Sequence, residues 1–97
     1  MPAKVILSRL AEEDLVSIWE FIATGSVQAA DRFLDRLRDT VHMLSRFPEM
    51  GRAREELAHG VRSFPFGDYL ILYLPRPRGI AVVRVVSGFR SLQGLFE

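Results

Sequence analysis

The chain has 97 residues, enough for one domain with a modest core and too few for two. Hydrophobic residues make up 48% and charged residues 26%, which is a globular composition and excludes a disordered chain. A net charge of +1 excludes a polycation that holds nucleic acid by bulk charge, and the lack of cysteine excludes disulfides and thiolate metal sites.

Charge is unevenly spread. Residues 1–60 carry 8 basic and 10 acidic side chains, a balance of −2, whereas residues 61–97 carry 5 and 2, a balance of +3. The C-terminal part therefore presents a weakly positive field. Lys4 is the single lysine among 13 cations, a bias that a GC-rich genome explains. No charged-then-apolar leader opens the chain, and no apolar run approaches a membrane span. The expectation is a cytoplasmic protein with no membrane partner.

The first predicted element is a strand at Lys4-Val5-Ile6-Leu7. Ser8 then offers a cap oxygen, and Glu12, Glu13 and Asp14 place negative charge near unpaired helix N–H groups. Ala11, Leu15, Ile18 and Ile22 form one apolar helical face with Trp19 beside it. Thr24-Gly25-Ser26 ends this helix, with Gly25 free to take positive φ and Ser26 able to cap the next. The second helix puts Ala30, Phe33, Leu34, Leu37, Val41 and Leu44 on one side and alternating charges on the other. Pro48 stops it after Phe47. So short a connection predicts an antiparallel helical hairpin.

From Val61 the period becomes that of strands. Val61–Phe64 and Tyr69–Leu74 flank Gly67-Asp68, where glycine at the first central position suits a type II′ turn. Pro75 to Gly79 forms a second turn, and Ile80–Val86 is an apolar strand interrupted by Arg84. The reading is α+β, in the order β-α-α-β-β-β, over a single domain 1–97. A helical hairpin packs on one face of a small, mostly antiparallel sheet.

The sequence holds few groups able to transfer protons. His42 and His59 are the only histidines and neither sits in a ligand-spaced cluster, so no metal or other cofactor is expected. Metal-free RNA cleavage needs a base, an acid and cations on the phosphate. Arg52, Arg54, Arg62, Arg84 and Arg90 can supply the cationic forks. Tyr69 and Tyr73 share one strand face and read as core or edge aromatics rather than an acid–base pair, so no catalytic residue is assigned. Arg62 has Asp68 across the hairpin as an ordinary partner, and Arg84 within its apolar strand demands pairing or a binding role.

Several segments together carry a family resemblance. These are Leu7-Ser8 leading into Ala11 to Leu15 and Ile18-Trp19, then Ala29 to Phe33, then Phe47 to Arg52. Arg62-Ser63-Phe64-Pro65-Phe66-Gly67-Asp68-Tyr69 and Val83-Arg84-Val85-Val86 complete the set. Their order resembles the ParE branch of the ParE/RelE superfamily of type II toxin–antitoxin systems, known from plasmid stabilisation. The resemblance implies a toxin neutralised by a cognate ParD-like antitoxin with a ribbon-helix-helix part, encoded in the adjacent gene. Operator DNA would be reached only through that antitoxin. It implies DNA gyrase as target and non-covalent inhibition as the mode of action. Arg52, Arg54, Arg62, Arg84 and Arg90 are then the expected target-binding residues, and Leu15, Trp19 and Phe33 the antitoxin-binding ones. The alternatives are a ribosome-dependent, metal-independent mRNA endonuclease of the RelE kind, or an inactive relative that serves as a partner-binding or corepressor module. ParE-like chains often carry His-Gly-x-Arg-Asp after the last strand, where this chain reads Ser87-Gly88-Phe89-Arg90-Ser91.

Overall fold

The computed structural model describes residues 3–96. Strand β1 (Lys4–Leu7) leads into helix α1 (Arg9–Ala23) and helix α2 (Val27–Arg46). A 3-10 turn at Pro48–Met50 precedes β2 (Arg52–Ala53), β3 (Arg62–Phe66), β4 (Tyr69–Arg76) and β5 (Gly79–Ser87). The five strands lie in the order β1-β5-β4-β3-β2. Among the described residues only the β1–β5 pair is parallel.

Both helix starts form as the sequence predicts. Ser8 Oγ accepts from the Ala11 N–H at 3.0 Å, and Ser26 Oγ accepts from the Ala29 N–H at 3.1 Å. Of the three early acids only Glu12 lies in the first turn of α1. Asp14 has a different task, described below. Gly25 departs from expectation: it is absent from the positive-φ glycines, and the turn is closed by Thr24 in helical conformation. Gly67 does take φ 57 while Asp68 stays negative, which fits the expected type II′ turn.

The helices cover one face of the sheet. Their buried residues Ile18, Phe33, Leu37 and Leu44 meet Ile71, Tyr73, Ile80, Val82 and Val85. Each fully buried aliphatic side chain here contributes about 1.5–3 kcal/mol. Phe33 stands edge-on to Phe66 and Tyr69, with centroids 5.2 and 5.4 Å away, fastening the β3–β4 tip to α2. The opposite face has its own cluster of Val61, Leu72 and Val86, roofed by Leu57 from the β2–β3 loop and by Leu92, Leu95 and Phe96 of the tail. That roof explains why β5 reads as apolar on both sides.

β5 contains a bulge. Leu72 of β4 pairs with Arg84 but Tyr73 pairs with Val82, so Val83 is the extra residue. The cap and second turn of α1 satisfy polar groups along this part of β5. Ser8 donates its N–H to the Val82 carbonyl and its hydroxyl to the Val83 carbonyl, at 2.9 and 2.8 Å. The Asp14 carboxylate accepts from the Val85 N–H at 3.0 Å.

Candidate partner-binding surface

Three of the five arginines expected to bind a target gather at the β2–β3 corner. Arg52 is exposed. Arg54 donates from Nε to Glu56 Oε2 at 2.8 Å and from Nη1 to Ser63 Oγ at 3.2 Å, so its side chain is only 17% exposed. Its hydrogen bond to Glu56 holds that carboxyl below the usual range. Arg62 does not reach Asp68. It donates to the Gly51 carbonyl at 2.6 Å and to the Glu49 carbonyl at 3.3 Å, bracing the turn after α2.

Tyr73 completes this brace from inside. Its hydroxyl donates to the Pro48 carbonyl at 2.7 Å and accepts from the buried Gly51 N–H at 2.8 Å. Burial pushes its phenol above the ordinary value. Gly51 is required by this contact, because a Cβ there would lie 2.4 Å from the hydroxyl oxygen.

The other two arginines lie apart. Arg84 is fully engaged: Nε and Nη2 meet Asp14 Oδ2 and Oδ1 at 2.7 and 2.9 Å, with both side chains under one-fifth exposed. The bidentate bond raises the Arg84 pKa further. Its fork thus ties α1 to β5 and is not open to a ligand. Arg90 is exposed in the tail beyond β5, next to Phe89, which is 84% exposed.

The three residues expected to meet an antitoxin also separate. Leu15 lines a mainly apolar groove of about 380 Å³ between β1, α1 and α2, with Val5, Leu7, Leu34, Val41, Arg38 and His42 around it. Trp19 is half-buried between the helices, and its indole N–H donates to Asp31 Oδ1 at 2.9 Å. Phe33 is only 7% exposed beneath the β3–β4 tip and presents no surface, because its ring is consumed by the aromatic contacts there.

The groove borders an open strand edge. Lys4 and Ser8 direct their N–H groups to Arg78 and Val82 beside β5. Strand alternation then turns the N–H and C=O of Val5 and Leu7 outward. At its far end the groove meets a larger cleft of about 880 Å³, lined by His42, Arg46, Arg76 and Arg78. Sequence reasoning missed this cluster. Arg76 and Arg78 read only as turn residues, although the Arg38, His42, Arg46 spacing on α2 already placed nitrogen-bearing side chains along one helical row.

Other candidates for chemistry are dispersed. His59 is bonded through Nδ1 to Glu55 Oε1 at 3.0 Å, but its side chain is 99% exposed. The Glu55 carboxyl is held low chiefly by the Gly60 N–H and then by His59. No group of acids and histidines among the described residues is placed to hold a metal. No helix among them is long and apolar enough to cross a membrane.

The chain is 29% identical over 90 residues to toxin ParE3 of Caulobacter vibrioides, covering 92% of this chain and 90% of that protein. It is 30% identical over 88 residues to toxin ParE1 of Mycobacterium tuberculosis, covering 89% of this chain and 90% of the relative. A solved structure described as a chromosomal ParDE TA system from P. aeruginosa shares the fold, with a TM-score of 0.72 over 89% of this chain and 96% of that one, at 17% identity. A family model described as the ParE toxin of the type II toxin–antitoxin system parDE matches residues 5–91, and the chain belongs to that family.

Proposed function

We propose that this toxin is held inactive in the cytoplasm by a cognate ParD-like antitoxin and, once free, inhibits DNA gyrase by binding without covalent chemistry. The observation that carries the non-covalent reading is the state of Tyr73. Its hydroxyl is buried, doubly bonded to backbone and raised in pKa, so it is spent on structure rather than poised for proton transfer. Tyr69, the other tyrosine, is packed against Phe33.

The target-facing surface in this reading is the corner of Arg52, Arg54 and Arg62 together with Arg90 and the exposed Phe89 of the tail. Arg84 serves it indirectly by fixing β5 against α1. The antitoxin-facing surface is the groove at Leu15, the rim at Trp19 and the free edge of β1. An added strand there satisfies the outward groups of Val5 and Leu7.

The deciding experiment uses purified protein in two assays. Gyrase supercoiling is expected to be inhibited, with gyrase–DNA cleavage complexes accumulating, and antitoxin is expected to relieve both effects. Messenger RNA on ribosomes is expected to stay intact. Codon-positioned cuts in that RNA would replace this reading with the endonuclease. A chain that forms its antitoxin complex yet leaves gyrase, ribosomes and growth unaffected would identify a partner-binding module.

A further inference from the structure

The cleft at His42, Arg46, Arg76 and Arg78 has no place in the toxin corner. Among the described residues none of its three arginines makes an ion pair and no acidic residue lines the cleft. The cations come from two separate elements. Arg46 ends α2, while Arg76 ends β4 and Arg78 lies in the turn into β5. That turn is stiff. Pro75 and Pro77 fix φ, and Gly79 has φ 153 with its Cα so close to β1 that a Cβ would sit 1.8 Å from the Lys4 carbonyl oxygen. Three arginine side chains thus line one cleft with no carboxylate among its described lining residues to offset them.

Continuity identifies the occupant. His42 lines both this cleft and the apolar groove beside β1. The cleft walls themselves include Ala3, Pro48 and Pro77. A uniformly charged nucleic-acid backbone has little to place in the groove, whose lining is apolar apart from Arg38 and His42. A peptide that is apolar along one stretch and acidic in the next fits both. We propose that Arg46, Arg76 and Arg78 form a carboxylate-binding annex to the groove, and that the antitoxin segment lying along β1 carries acidic side chains where it passes the β4–β5 turn. The inference rests on the antitoxin occupying the groove, and adds the composition and direction of its segment. Its apolar part lies toward Leu7 and its acidic part toward Lys4, because β1 runs from the cleft at residue 3 to the groove at residue 7. Arginine forks there recognise carboxylates in pairs.

The test measures antitoxin affinity of the full chain over a series of sodium chloride concentrations. Arg76→Ala/Arg78→Ala, both exposed positions, is expected to fold normally by circular dichroism, bind antitoxin about tenfold or more weakly, and show a shallower salt dependence. Arg76→Lys/Arg78→Lys is expected to restore the salt dependence and part of the affinity. Unchanged affinity and salt slope in the alanine variant, with the wild type binding well, would overturn the annex and leave the groove standing. A wild-type chain that does not bind antitoxin would overturn both. If the alanine variant loses affinity only for a DNA duplex, the cleft belongs to nucleic acid and the inference is wrong.

Discussion

Tyr73 shows how much one side chain can organise. It is fully buried, packs into the helix-facing core, and spends its hydroxyl on the two ends of the Pro48–Gly51 turn. Tyr73→Phe keeps the ring and leaves the Gly51 N–H buried without a partner, so a loss of about 1–3 kcal/mol is expected in chemical denaturation. The pH dependence follows from the raised phenol. Below the unfolded-state value of 10.0 both states hold the proton and the full stability is present. As pH climbs from there through the higher folded value, the unfolded chain releases the proton first and stability falls. The wild type should therefore lose melting temperature steeply in that alkaline window, and the phenylalanine variant should lose less.

Arg84 and Asp14 act at the scale of elements. Their bidentate pair, with the Val85 N–H on the same carboxylate, fastens α1 across the bulge of β5. Removing either partner leaves a little-exposed charge unanswered. Asp14→Ala and Arg84→Ala are each expected to cost about 2–4 kcal/mol, and the double variant less than their sum. Additive losses in a double-mutant cycle would show that the pair is not coupled. The sequence marked Arg84 as needing a partner but had no means of naming it, since Asp14 lies 70 positions away. Short-range signals fared better. The caps at Ser8 and Ser26, the stop at Pro48 and the glycine turn at Gly67 were all legible, because each acts within a few residues. β2 was invisible because two residues carry no period. The bulge was hidden because Val83 and Arg84 look like continuous strand. Phe33 read correctly as apolar helix face, but periodicity does not say which part of that face a neighbouring hairpin will seal.

The whole molecule is a sheet with two unequal coverings. Two long helices shield one face, while the other depends on the β2–β3 loop and a few apolar residues of the tail. A chain ending at Ser87 keeps every strand and both helices but strips Leu92, Leu95 and Phe96 from Leu72 and Val86. Such a truncation is expected to retain helical circular dichroism yet bind hydrophobic dyes and aggregate at concentrations where the full chain stays dispersed. A soluble, dye-silent truncation would show that the tail is not part of the core. The expected toxin surface spans this same tail, so loss of activity on truncation has to be weighed against loss of the roof.

Trp19 is the sole indole of the chain, half-buried at the helical hairpin and bonded to Asp31. Its fluorescence is therefore a native optical gauge of that hairpin. An antitoxin segment that dries the rim should shift the emission towards the blue, and dissociation should reverse it, so the association can be timed in a stopped-flow instrument without attaching a dye.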